Sequence, residues 1–215
     1  MGGKDKGFRL FFISISEAFL YLSMIRISTV NDAEAFLDIY TPFILNSGIT
    51  QETEIPTVEE LKRRIEYTLA KRPWLTAEIN GKVAGYAYAG NHRERKGYQY
   101  CIEPSVYLHP EFYGRNIATA LYDALFKILK TQGYVNAYAV ITLPNERSVA
   151  FHEKFGFRYL TTFKKIGYKL NQWHDVGWWE YQINQYEANQ LVSINDLDKD
   201  LVNEIYHQSS QLITS

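Results

Sequence analysis

The stretch CIEPSVYLHPEFYGRNIAT, from Cys101 to Thr119, decides the fold. It reads as a β-strand broken by Pro104, then a turn, then the opening of a helix. The strand carries a carboxylate, Glu103, ahead of the unbroken run Ser105-Val106-Tyr107-Leu108. Proline cannot donate to a ladder, so its place predicts a bulge or an edge. The turn holds Gly114, Arg115 and Asn116. The first N–H groups of a helix have no internal partners, so such a turn can point several of them at an anion. A base on a strand beside a phosphate-binding helix start suits a group-transfer enzyme that holds a nucleotide-tailed cofactor.

Upstream, Met24–Ser28 reads as a short strand. Thr29–Ile44 reads as a helix, with Ala33, Phe36, Leu37, Ile39 and Tyr40 at helical spacing. Thr57 can cap a second helix with Glu59 and Glu60 in its first turn, and Pro73 stops it. WLTAEI and KVAGYAYAG are strands joined by Asn80-Gly81, because both turn residues tolerate positive φ. Downstream, Ile117–Gln132 is a helix burying Leu121, Leu125, Ile128 and Leu129, with Gly133 past its end. Val135–Thr142 is a central strand, apolar nearly throughout. Asn145–Lys154 is a short helix, and Phe157–Phe163 and Gly177–Ile183 are the last strands. Asn195–Gln211 reads as one more amphipathic helix, on Leu197, Leu201, Val202 and Ile205. The sum is a mixed α/β sheet, mostly antiparallel, with helices on both faces and one parallel crossover around Ile117–Gln132. A bulge at Pro104 would splay the two parallel strands and open a wedge for a cofactor.

The chain has 215 residues, of which 46% are hydrophobic, enough for one domain with a sizeable core and too many for wholesale disorder. A net charge of −1 gives no general reason to expect nucleic acid or an acidic membrane as a partner. The single cysteine, Cys101, excludes an internal disulfide framework and a cysteine-based zinc site, and it suits a reducing, cytoplasmic setting. Residues 1–23 stand apart from the domain expected at 24–183, and 184–215 form a polar tail with its one helix. The N-terminal segment has the outline of a signal peptide, but Glu17 interrupts its apolar core and no cleavage site follows. It is short for a membrane span, and Lys6 stands where a myristoylation signal wants Ser or Thr. Two further readings are an amphipathic helix docked on the domain and an extension upstream of a natural start at Met24. The last is preferred.

The element order, with FYGRNIA and the later NERSVAFHEKFGF, resembles the GCN5-related N-acetyltransferase superfamily, whose members take acetyl groups from acetyl-CoA. Its phosphate-binding motif, Gln/Arg-x-x-Gly-x-Gly/Ala, falls on Tyr113 to Ala118: Ala118 fits, while Tyr113 and Asn116 depart. RPWLTAEINGKVAGYAYAG, EPSVYLHP, LPNERSVAFHEKFGF and GYKLNQWHDVGWWE are similar to the phosphinothricin N-acetyltransferases, which also act on methionine sulfoximine. This resemblance covers about residues 24–183. It implies the acyl-CoA N-acyltransferase fold, transfer of an acetyl group to the α-amino group of a small amino acid or analogue, no metal, and a homodimer. It implies that Glu103 is the catalytic carboxylate and that His152 stands where many relatives carry a tyrosine that protonates the departing thiolate. Val106, Tyr107 and Leu108 match the strand that bonds the pantetheine arm, and Gly114, Arg115, Asn116, Ile117, Ala118 and Thr119 match the pyrophosphate loop. Asn145 and Ser148 line the cofactor side. Arg93, Arg95 and Tyr98 match the loop that meets the acidic end of the substrate. Arg93 replaces a lysine of the phosphinothricin enzymes and His92 replaces an aromatic, which leaves the substrate open.

Each of these residues has a plainer reading. Glu103 is either a base, its pKa raised by burial among Tyr98, Tyr100 and Tyr107, or a structural ion-pair partner. His152 is either catalytic or substrate-orienting, or a helix histidine packed on Phe155. A backbone N–H near Tyr107–Leu108 can polarise the thioester carbonyl. Arg115 can fork onto phosphate or lie solvated. Asn116 adds a side chain where backbone must approach the ligand, and the turn survives if Asn116 adopts a left-handed conformation. Arg93, Arg95 and Lys96 form a basic cluster that either binds a carboxylate or phosphinate or is solvated. Such a cluster disfavours a cationic acceptor such as a polyamine. Other readings are a peptide N-terminus as acceptor and an acyl-CoA-binding module without catalysis. His174-Asp175 points to opposite faces of a strand, which argues against a metal pair. Exposed aromatics in GWWEYQI and the extra C-terminal helix are candidates for a dimer interface.

Overall fold

Residues 23–214 are described by a computed structural model; the N-terminal segment and its several readings lie outside the described residues. A short strand, β1 (Ser23–Ile27), leads into helices α1 (Ala33–Asn46) and α2 (Val58–Leu69). The Thr57 hydroxyl caps α2 by accepting the Glu60 N–H at 3.1 Å. Strands β2 (Trp74–Ile79) and β3 (Lys82–Asn91) follow as a hairpin. Its turn residues Asn80 and Gly81 sit at φ 52° and 75°, the left-handed region expected of them. Strand β4 (Cys101–Leu108), helix α3 (Ile117–Gln132), strand β5 (Asn136–Leu143) and helix α4 (Glu146–Phe155) form the middle of the chain. Strands β6 (Arg158–Lys169) and β7 (Gln172–Gln182) and helix α5 (Lys199–Ser210) complete it.

The strands form one seven-stranded sheet in the order β1-β2-β3-β4-β5-β7-β6. All neighbours are antiparallel except β4 and β5. One face of the sheet buries Phe36 and Ile39 of α1 and Leu61 and Ile65 of α2 against Trp74 and Tyr86. The other face buries Leu121, Leu125 and Leu129 of α3 and Ile205 of α5 against Leu75, Ala87, Ala89 and Ile102. Small residues on β3 let α3 lie close, and that fixes where its N-terminus points.

Strands β4 and β5 pair only at Cys101↔Asn136 and Ile102↔Ala137, then part. The splay expected from the sequence is there, but its cause differs. The β3–β4 register runs from Ile102 to Leu108 without a shift, so Pro104 makes no bulge. The His109 N–H donates to the Ala84 carbonyl at 2.9 Å, and antiparallel alternation then turns the amides of Tyr107, Ser105 and Glu103 toward β3. The even-numbered positions face the departed β5. Pro104 therefore occupies a position where no ladder bond is lost.

Two further elements differ from expectation. The last two strands are longer than 157–163 and 177–183 and meet at a tight turn, with Leu170 and Asn171 at φ 52° and 59°. The alternation that marks a half-buried strand is missing from β6, which is exposed along nearly its whole length. The C-terminal helix is not a free surface. The Ser210 hydroxyl accepts the Ile25 N–H at 2.8 Å, Ser209 donates to Asp123 at 2.7 Å, and Ile194 and Ile205 join the main core. Leu201, expected to be buried, is 45% exposed.

Candidate active site

The parted strands and the N-terminus of α3 enclose a cleft of about 500 Å³. Val106, Tyr107 and Leu108 of β4 line one wall, and Ala139 to Thr142 of β5 the other. Gly114, Asn116, Ile117, Ala118 and Thr119 lie at one end with Asn145, Ser148 and His152 of the α4 region. Eleven of the residues assigned to a cofactor site or to His152 chemistry from sequence thus share one cavity: Val106, Tyr107, Leu108, Gly114, Asn116, Ile117, Ala118, Thr119, Asn145, Ser148 and His152. The amides that face the cleft are those of Val106 and Leu108. The Tyr107 amide is turned to β3, so Tyr107 does not offer its N–H to the cleft.

The phosphate-loop geometry resolves the departure at Asn116. Gly114 is at φ 83° and Asn116 at φ 60° and ψ 15°, a left-handed pair that turns the chain into α3. The Asn116 side chain swings away from the helix and donates to the Leu212 carbonyl at 2.9 Å. The first helical bond is Ala120 N–H to the Asn116 carbonyl at 3.1 Å, which leaves the amides of Ile117, Ala118 and Thr119 free at the cleft. Those amides and the helix dipole suit a diphosphate. The Arg115 guanidinium lies 5.6 Å over the Phe112 ring, and Arg115 is not among the residues that line the cleft. Arg147, in the first turn of α4, does line it and lies 4.0 Å over the Tyr113 ring. The segment NERS offered it, but an arginine after an N-cap reads as a solvated helix residue until the fold brings Tyr113 beside it.

Glu103 sits one residue past the last β4–β5 pair, at the apex of the split, next to the wall residues Pro104 and Ser105. Its Oε1 lies 2.9 Å from His92 Nδ1 and 3.6 Å from Arg93 Nη1. Burial pushes its pKa up, opposed by the hydrogen bond from His92 and the charges of His92 and Arg93. The direction is the expected one, but its neighbours are a histidine and an arginine rather than a tyrosine cage. Arg93 is therefore beside Glu103, while Tyr98 lies 6.0 Å ring to ring from His92. Arg95 is exposed and makes no ion pair among the described residues. The sequence marks His92 as a departure in the substrate loop but not as a partner of Glu103, because eleven positions separate the two and only the β3–β4 pairing joins them.

His152 is buried, with both ring nitrogens engaged. Nδ1 lies 2.8 Å from the Ser148 carbonyl, so it carries the proton, and Nε2 accepts from the Tyr122 hydroxyl at 3.1 Å. It packs on Phe157 and Phe151, at 5.1 and 5.2 Å between ring centres, rather than on Phe155. Burial pushes its pKa down, against the raising effect of the Ser148 carbonyl. It is therefore a neutral imidazole that presents Tyr122, itself on the cleft wall, to the site. Tyr122 lay hidden in sequence among the apolar residues of the helix. The His174 Nε2 bonds the Lys169 carbonyl at 3.1 Å, while Asp175 pairs with Lys164 at 2.9 Å.

Residues 25–178 match the Acetyltransferase (GNAT) domain family. The chain is 38% identical over 156 residues to the phosphinothricin N-acetyltransferase of Streptomyces viridochromogenes, covering 73% of this chain and 85% of that one. It is 28% identical to the L-methionine sulfoximine/L-methionine sulfone acetyltransferase of Salmonella typhimurium, over 76% of this chain and 96% of that one. A phosphinothricin acetyltransferase structure from Sinorhizobium meliloti, in complex with AcCoA, superposes with a TM-score of 0.74 at 28% identity, over 81% of this chain and 97% of that one. The chain belongs to the GNAT acetyltransferase family, and it is an acetyl-CoA-dependent N-acetyltransferase. The cleft fits that cosubstrate: among the described residues, helix amides without a partner lie at one end where a diphosphate can sit, two strand amides without a partner lie along the wall, and a carboxylate stands where the wall begins.

Proposed function

We propose that the enzyme acetylates the α-amino group of a small amino acid or analogue with an acidic or strongly polar side group, of the phosphinothricin or methionine sulfoximine kind. The observation that carries this reading is Glu103 at the apex of the split strands, with the Arg93 guanidinium 3.6 Å away. Arg93, with Arg95 and Tyr98 on the same loop, supplies positive charge for a carboxylate or phosphinate; a polyamine would be repelled.

Glu103 takes the proton from the acceptor ammonium, which frees the nitrogen lone pair to attack the thioester carbon. The Val106 and Leu108 amides hold the carbonyl oxygen as charge develops on it. The C–N bond forms, the C–S bond breaks and the thiolate leaves. The second proton of the amine nitrogen balances the one the thiolate gains, so each turnover releases one net proton to water. Asn145 and Ser148 hold the end of the cleft nearest α4: the Asn145 side chain accepts the Ser148 N–H at 3.2 Å, which fixes the first turn. His152 accepts the Tyr122 hydroxyl proton in a hydrogen bond and so holds that side chain in place on the cleft wall. Because Glu103 must be ionised to act, and its pKa is raised, kcat rises with pH through that group's titration.

A homodimer is part of the proposal. β6 is an edge strand whose Tyr159, Phe163 and Ile166 are 55, 48 and 59% exposed, beside Trp173 at 61%. An exposed apolar edge of this kind suits a second copy of the chain. Of the aromatics of GWWEYQI, Trp179 is 3% exposed and belongs to the core, while Trp178 and Tyr181 are half-buried. The free Cys101 thiol suits a cytoplasmic setting. Among the described residues no helix is long and apolar enough to cross a membrane.

The test is thiol release from acetyl-CoA with phosphinothricin, methionine sulfoximine, methionine sulfone, common amino acids, spermidine and a test peptide. Turnover is expected on the first three. Turnover confined to spermidine or the peptide overturns the substrate assignment. Glu103→Gln should lower kcat about 10²–10⁴-fold and leave acetyl-CoA affinity intact.

A further inference from the structure

His92 is the first residue after β3, and nothing in the reaction above uses it. Its Nδ1 lies 2.9 Å from Glu103 Oε1. Its side chain is 14% exposed. Three aromatic rings from three elements set its plane: Tyr138 of β5 at 4.7 Å, Trp178 of β7 edge-on at 5.7 Å and Tyr98 of the turn before β4 at 6.0 Å. Such a setting is costly to build around a polar ring that merely fills space, because each aromatic contact restricts it to one orientation. The other nitrogen, Nε2, has no hydrogen bond among the described residues.

We propose that His92 is a positioning residue that makes one coupled base with Glu103. The inference rests on Glu103 being the base of the proposed reaction. A lone carboxylate, with an ordinary pKa near 4, is poorly matched to an ammonium near neutral pH, and an imidazole in direct contact lets the two groups share one proton. The step balances at the level of the pair. The acceptor N–H bond breaks, the pair takes the proton and goes from a charge of −1 to 0, and water receives it as the pair returns to −1. The Nδ1···Oε1 hydrogen bond persists in both states, so Glu103 keeps its orientation throughout.

The groups facing the pair are few. Arg93 contributes the positive charge, 3.6 Å from Oε1, and its guanidinium is held 5.5 Å over Trp178. Cys101 on β4 and Tyr138 on β5 both have pKa values raised by burial, so they stay neutral near pH 7. Tyr98 faces the ring from the turn. From β7 the facing residue is Trp178, which does not titrate; Glu180, further along, pairs with Arg158 at 3.2 Å. Among the described residues, Arg93 is thus the one fixed charge within ion-pair distance of Glu103.

The test uses the full-length enzyme with His92→Phe, which keeps an aromatic ring, and His92→Asn, which keeps a donor for Glu103 but takes no proton. The kcat–pH profile, KM for acetyl-CoA and melting temperature of both are compared with wild type and with Glu103→Gln. Both His92 variants should lose about tenfold in kcat, with the acid limb of the profile displaced to lower pH and KM for acetyl-CoA unchanged. A His92→Asn enzyme with wild-type kcat and profile shows that a hydrogen bond alone is needed, and overturns the coupled base. Wild-type behaviour in His92→Phe overturns it as well. If Glu103→Gln retains turnover, the base assignment itself fails, an outcome distinct from an inactive Glu103→Gln beside unaltered His92 variants.

Discussion

The bend that opens α3 offers the sharpest quantitative check. Asn116 holds φ 60° and donates to the Leu212 carbonyl at 2.9 Å, and Arg115 next to it accepts the Thr214 N–H at 3.0 Å. Asn116→Ala removes the side-chain hydrogen bond, worth about 0.5–1 kcal/mol in this exposed position. It also forces a Cβ-bearing residue without a local polar compensation into the left-handed region, at a further cost of roughly 1–1.5 kcal/mol. The two effects sum to about 2 kcal/mol, or roughly 4–8 °C in melting temperature for a domain of this size. Asn116→Gly loses the same hydrogen bond but accepts the left-handed angle without steric penalty. Its loss should stay within about 1 kcal/mol, since the greater entropy of the unfolded glycine partly cancels the relief. Thermal unfolding of both variants, with and without coenzyme A, is the assay. Coenzyme A should raise the melting temperature of wild type and Asn116→Gly equally, because the amides of Ile117, Ala118 and Thr119 are untouched in the glycine variant. Equal melting temperatures for the alanine variant and wild type, or a glycine variant as unstable as the alanine one, would refute the reasoning.

Three other outcomes follow from the same structure. His152 is buried with its pKa pushed down, so below the ordinary histidine value near 6.5 the unfolded chain binds the proton better, and stability falls as pH drops. Urea unfolding at about pH 5 and 7.5 should show a smaller pH difference for His152→Gln than for wild type. Asp32 accepts from Arg26 at 2.9 and 2.7 Å and from the Thr29 N–H at 2.7 Å. Burial raises its pKa, but those bonds outweigh it and hold the carboxyl below its usual range. Asp32→Asn should therefore cost about 2 kcal/mol at neutral pH, a gap in urea unfolding that closes as pH falls below about 4. The double change Ile166→Asp with Trp173→Glu, on the exposed β6–β7 hairpin, should leave the fold intact and convert the proposed dimer to monomer by light scattering; a wild-type monomer at micromolar concentration would end that proposal.

The segments whose periodicity met the base requirements of burial were legible in advance. The helix from Ile117 to Gln132 ends at Gly133, φ 91°, as its sequence demands, and the Asn80-Gly81 hairpin turn adopts its expected angles. The long β6–β7 hairpin was not legible, because β6 buries almost none of its side chains and an exposed strand needs no alternation. Proline costs a ladder bond, so the sequence predicts a bulge or an edge at Pro104; the costless position, facing the gap left by β5, exists only once the neighbouring strand has departed.

By itself the sequence determined what short-range physics governs: capping residues, turn angles, apolar stripes, the carboxylate at position 103 and the turn before α3 that frees three amides. The tertiary structure alone decided which distant groups share a volume. It put His92 on Glu103, Tyr122 on His152, Arg147 rather than Arg115 at the cleft, and Leu212 on Asn116. Hydrogen bonds and ion pairs act over a few ångströms in space, and only strand pairing and helix packing bring residues far apart in the chain within that reach.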